Sequence, residues 1–222
     1  MKLIAAALLG ASASAVSAQI NYANYFQFQS INAEAYIGGN PDIQNSGGIG
    51  PGLYIDSVTA VATVQTGPNF FVSSTSTTSL VADMQPGYIS LAGTFAQTVG
   101  AFAGSGATRG RITCDISFEL TSQYFYSFSG NFGAAPPSMP SDPVHRDVWI
   151  TGPGGYSVAP GPFLFSGSIG PGVYTLHVDI DCRKPGQDTP GFNVLFEIPT
   201  IPAPGAAAVA LGSLGWFGRR RR

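Results

Sequence analysis

Two stretches of strict alternation restrict this chain more than any other feature. Ile112, Cys114, Ile116, Phe118 and Leu120 alternate with Thr113, Asp115, Ser117, Glu119 and Thr121; later Tyr174, Leu176, Val178, Ile180 and Cys182 alternate with Thr175, His177, Asp179 and Asp181. Successive side chains of a strand point to opposite faces, so a period of two writes a strand with one dry and one wet face. A helix would need its apolar residues at three- and four-residue intervals instead. Residues 124–132, 146–150, 163–169 and 192–198 read as further strands, the last burying Phe192, Val194, Phe196 and Ile198. A Pro-rich loop is expected over residues 134–143.

The first half is less regular. Residues 19–31 read as an aromatic-rich opening strand, and residues 38–52, with six glycines and two prolines, as a long loop. Residues 53–65, 79–82, 87–96 and 99–103 are expected strands, with the polar run 73–79 as loop or exposed edge. Residues 104–110, Gly-Ser-Gly-Ala-Thr-Arg-Gly, read as a turn, since they lack the spacing and lysine of a phosphate loop. Abundant Gly, Ser, Thr, Phe and Tyr with little Lys, Glu or Leu favours strands and turns over helix. The expected fold is all-β: one antiparallel β-sandwich, jelly-roll-like, over residues 19–200.

The two ends are of another kind. Residues 1–18 read as a signal peptide: Lys2 supplies a positive start, residues 3–9 an apolar core, and Val16-Ser17-Ala18 a small-residue cleavage site. Cleavage would fall between Ala18 and Gln19. At the other end, uncharged residues 205–218 precede Arg219, Arg220, Arg221 and Arg222. As a helix this run would reach about 21 Å, short of the roughly 30 Å of bilayer hydrocarbon. Arginines stay on the cytoplasmic side during export, and Trp216 and Phe217 stand beside them where interfacial aromatics belong. The expectation is transient membrane insertion. A signal helix and a hydrophobic tail helix thus flank the sandwich.

Pro202-Ala203-Pro204-Gly205, the apolar run and the four arginines resemble the PEP-CTERM sorting signal of exported bacterial proteins, over residues 201–222 only. The family's central Pro-Glu-Pro reads Pro202-Ala203-Pro204 here. The resemblance implies recognition by an exosortase-type transpeptidase, removal of the tail, and residence at the cell surface, outer membrane or extracellular matrix of a Gram-negative bacterium that makes exopolysaccharide and biofilm. Residues 165–178, FSGSIGPGVYTLHV, are similar to the β-sandwich ectodomains that commonly precede such tails. Ile49-Gly50-Pro51-Gly52-Leu53-Tyr54 echoes Ile169-Gly170-Pro171-Gly172-Val173-Tyr174, either as two related halves or as a reused turn-to-strand corner.

Without the two ends, five cations face twelve acids, a formal net charge of −7. Nucleic acid is therefore excluded as a partner, since phosphate binding needs basic clusters. Cys114 and Cys182 both fall on the inward phase of their strands; in an oxidising compartment an even count favours a disulfide, the alternative being two buried thiols too far apart to bridge. No catalytic signature and no cofactor motif occurs. His145 and His177 read as surface residues, and Asp179, Asp181 and Asp188 as a solvated acidic face or a Ca²⁺ site. The function expected is a non-enzymatic surface or matrix protein. The alternative is an exopolysaccharide-binding module using exposed rings among Tyr22, Tyr25, Tyr54, Tyr156 and Trp149. A hydrolase would need a pair of acids or a His–acid pair in a cleft.

Overall fold

A computed structural model describes residues 19–37, 40–67, 70–99, 107–132, 145–154, 156–158, 162–182 and 191–199. The expected signal segment and sorting tail, residues 100–103 of an expected strand, the expected Pro-rich loop 134–143 and Asp188 lie outside them. The described residues form strands β1 (Ile20–Asn21), β2 (Gln27–Ile37), β3 (Asn40–Ile49), β4 (Leu53–Gly67), β5 (Phe70–Gln85), β6 (Tyr88–Val99) and β7 (Ala107–Leu120). These are followed by β8 (Tyr124–Phe132), β9 (His145–Thr151), β10 (Tyr156–Val158), β11 (Phe163–Ile169), β12 (Gly172–Cys182) and β13 (Gly191–Glu197). Two antiparallel sheets result. The first runs β10-β9-β12-β7-β2-β3, with β1 also on β7; the second runs β11-β8-β13-β6-β5-β4. From β6 onward nearly every connection changes sheet, so β12 slots between β7 and β9 while β13 slots between β6 and β8.

The strands expected from residue 111 onward are all present, because each carries its own dry face. Their inward rows meet in an aromatic core. Phe118 of the first sheet lies 5.3 Å from Phe196 of the second, which also contacts Tyr126 and Phe128. Tyr174 stacks on Phe118 and donates its hydroxyl back to the Gly170 carbonyl at 3.0 Å, tying strand to corner.

The first half differs from its reading in four places. Residues 19–31 are not one strand: a turn over residues 22–26 separates β1 from β2, which runs on to Ile37. Residues 40–49 are a strand, not loop: β3 is the edge of the first sheet and pairs with β2 from Ile37↔Asn40 to Phe28↔Ile49. Pro41 is tolerated there because an edge strand needs only one ladder. Gly48 is there for space, since a Cβ would fall 2.6 Å from the Tyr54 ring. The Ser/Thr run is neither loop nor edge but the second strand from the edge, β5. Its inward hydroxyls bond carbonyls of the opposite sheet: Ser74 to Ala107, Ser76 to Arg109, and Thr78 to Asn32, at 2.8–3.1 Å. Beside them the core is Ala33, Ala35, Ala60 and Ala62 with Ile37 and Val72, mostly small side chains that suit a close approach of the two backbones. Polarity that suggested solvent in fact joins the sheets. Lastly, the expected turn at 104–110 gives way at Ala107, where β7 begins.

The echoed Ile-Gly-Pro-Gly segments both link the two sheets but do not share one backbone shape: Gly50 and Gly52 both have positive φ, whereas of Gly170 and Gly172 only Gly172 does. Each carries the chain from one sheet to the other, β3 to β4 and β11 to β12, but the strands they launch have different neighbours. Gly50 and Gly52 hold φ of 117° and 108°, which a side chain would resist.

The expected disulfide is not formed: Cys114 and Cys182 are both buried and are not joined to each other. Their strands do lie side by side and antiparallel. However, Cys114 stands opposite Val178, and Cys182 opposite Gly110. Four positions of offset separate them by about 13 Å along the strands, whereas a bridge needs Cα atoms within about 7 Å. Burial pushes the Cys114 thiol well above its usual range. Alkylation followed by intact mass should therefore find no label on the native protein and two labels on unfolded, unreduced protein. An unlabelled unfolded chain would restore the disulfide.

Candidate functional site

The inward faces of the two sheets are buried against each other, which leaves the outer faces to meet a ligand. Register places Phe28 of β2 opposite Asp115 of β7, Asp115 opposite His177 of β12, and His177 opposite Trp149 of β9. Directly opposed residues share a face, so these four form one row across four strands. The row spans about 14 Å at ordinary strand spacing. A second row lies alongside it. Phe26, whose carbonyl accepts from Ser117 N–H, stands beside Ser117, Thr175 and Thr151.

Aromatic rings bound this patch on two sides. Phe26 and Phe28 stack at 6.1 Å and 15°, and Phe26 is 58% exposed. Opposite them Trp149 stacks on His177 at 4.8 Å and 14°. Between lie Asp115, Ser117, Thr175 and His177. The floor is rigid: Ser117 and Thr175 share a hydroxyl bond of 2.8 Å. The imidazole is held at both nitrogens, Nδ1 at 2.6 Å from Asp115 and Nε2 at 3.1 Å from Thr151. A neutral ring protonated on Nδ1 satisfies both, donating to the carboxylate and accepting from the hydroxyl. The hydroxyl–imidazole–carboxylate order is that of a nucleophilic relay. Such a relay works in a water-excluding site with oxyanion donors, and this one lies on an open sheet face. Its effect here is to lock the His177–Trp149 stack.

Along the strands the same face continues into a shallow groove of about 390 Å³ lined by Ser30, Asn32, Thr113, Arg109 and Arg111. Arg111 forks onto Asp179 at 2.6 and 2.9 Å, and Arg109 onto Asp181 at 2.7–3.1 Å with Glu34 nearby. Both arginines are held above their usual range by these carboxylates. The acidic stretch of β12 is thus clamped by guanidinium groups, which already occupy the oxygens a Ca²⁺ would need. Among the described residues no cluster of metal-ligating side chains occurs.

Of the rings singled out from the sequence whose side chains are described, Trp149 joins this patch. Tyr22 turns its hydroxyl onto the carbonyls of Gln85 and Tyr88, and burial raises its pKa. Tyr54 reaches Asp56 at 3.2 Å, and Tyr25 is half-buried beside Glu119. The side chains of Tyr156 and His145 lie outside the described residues. Phe26, Phe28, Asp115 and Thr151 were missed. A signal was present in Gln27-Phe28-Gln29, where the phase is inverted. Ile31, Ala33, Ala35 and Ile37 point inward, so register drags both glutamines into the core and turns Phe28 out. Each glutamine keeps a buried carbonyl oxygen without a partner among the described residues. No protein-family model, curated protein or solved structure matches the chain.

Proposed function

We propose that this is an exported, non-enzymatic glycan-binding protein of the cell surface or extracellular matrix. The observation that carries the reading is the rigid patch with Phe26 and Phe28 on one side, Trp149 on the other, and hydroxyls, carboxylate and imidazole between. Sugar rings offer apolar C–H faces to aromatic planes and hydroxyls to polar side chains, and an aromatic-bounded polar floor matches both demands. The fold belongs to the same proposal. The strand pairs β6/β13, β7/β12, β8/β11 and β9/β10 nest one inside another, which supports a jelly-roll sandwich, an architecture used by lectins. The paired end segments support export, with signal cleavage before Gln19, and processing of the tail by an exosortase-type transpeptidase. Exopolysaccharide is then the natural ligand.

One experiment addresses both parts. Protein taken from the medium or cell surface of the producing cells should be captured on immobilised polysaccharide, and its intact mass should begin at Gln19 and lack Arg219, Arg220, Arg221 and Arg222. Phe26→Ala, at an exposed ring, and Trp149→Ala should each weaken capture about tenfold. Capture unaffected by both would sink the patch, and a full-length C-terminus would sink the processing.

A further inference from the structure

We infer that the patch prefers a cationic amino-sugar polymer, one whose hexosamines carry free amines; this rests on the glycan-binding reading above. The reason is charge. The outer face of the first sheet presents Glu34, Asp115, Glu119, Asp147, Asp179 and Asp181 against two guanidinium groups, Arg109 and Arg111, among the described residues. Both guanidiniums are already consumed by Asp179 and Asp181, with Glu34 beside Arg109. Of the carboxylates at the patch itself, Asp115 already accepts from His177, which leaves Asp147. Asp147 lies two residues from Trp149 on the same strand and face, and opposite Asp179. It is exposed and has no ion pair among the described residues.

An ammonium group resting against the Trp149 ring gains from the face of the indole. From there it comes within reach of the Asp147 carboxylate, a charge-assisted pairing that a neutral hydroxyl cannot match. A polymer of uronates or sulfated sugars would set its own anions against this face and be repelled. An uncharged polymer could still stack on the rings and donate its hydroxyls to the carboxylates, but it would gain no ammonium–carboxylate pairing.

The test uses the full purified protein with three probes: chitosan with its amines protonated, chitin as the neutral counterpart, and alginate as the anionic one. Chitosan should be bound most tightly, chitin more weakly, and alginate not at all. Asp147→Asn, an exposed substitution that leaves the core untouched, should weaken chitosan binding by roughly three- to fivefold and leave chitin unchanged. Raising salt to about 0.5 M should erase most of the difference between the two polymers. Equal binding of chitosan and chitin, a preference for alginate, or a silent Asp147→Asn would overturn the charge inference while leaving glycan binding intact. Failure to bind any of the three, with Phe26→Ala indistinguishable from the parent, would overturn the glycan-binding reading itself.

Discussion

Replacing Phe196 with alanine is expected to lower the free energy of unfolding by about 3–5 kcal/mol. Phe196 is fully buried on β13, the strand inserted between β6 and β8, and its ring touches Phe118, Tyr126 and Phe128. Those partners come from both sheets, so truncation opens a hole at the sheet-to-sheet contact. Backbone ladders on either side of β13 resist collapse around it. Domains of this size hold only about 5–15 kcal/mol in total, so the variant should sit near the edge of folding. Urea unfolding followed by Trp149 fluorescence would read the change as a lower midpoint at unchanged slope. The exposed control Phe26→Ala should stay within about 0.5 kcal/mol of the parent. A loss under about 1 kcal/mol for Phe196→Ala would mean that the aromatic cluster does not join the sheets.

Replacing Arg109 with methionine should cost about 2–4 kcal/mol, because it leaves a buried carboxylate without its guanidinium fork. Asp181 is only 4% exposed, and Arg109 bonds both of its oxygens. Methionine preserves the stem that covers Asp181, so the effect isolates the charge. Arg109→Lys should recover part of the loss, since it restores the charge without the planar fork. The neighbouring Arg111–Asp179 pair is more exposed, and Arg111→Met should cost under about 1 kcal/mol. Equal costs at the two arginines would show that burial of Asp181 does not govern the energetics.

These two sites differ in how far the sequence reveals them. Phe196 is plain in it: Phe192, Val194, Phe196 and Ile198 recur with period two, and a strand with that pattern must bury that side. The Arg109–Asp181 clamp is not, since Arg109 stood in what read as a glycine turn. Only the pairing of β7 with β12 brings a guanidinium across to an acid 72 residues later. The misread stretches share a physical cause. Residues 40–49 lack alternation because an edge strand over small residues needs no continuous apolar face. Residues 73–79 are polar because hydroxyls bond the opposite sheet where alanines have thinned the core.

What the sequence determined by itself is local: which residues of the second half are strands and which of their faces is dry. Alternation specifies both without reference to any partner. It carries no information on which strands become neighbours or in what register they meet, and everything functional here depends on those two quantities. A four-position offset keeps Cys114 and Cys182 apart on adjacent strands. A different alignment would have joined them. Phe28, Asp115, His177 and Trp149 come from four separate strands, and only the order β9-β12-β7-β2 sets them in one row. Even the outward aim of Phe28 is imposed from elsewhere on its strand. Burying the run from Ile31 to Ile37 turns Phe28 toward solvent, because a strand cannot change phase midway without a bulge.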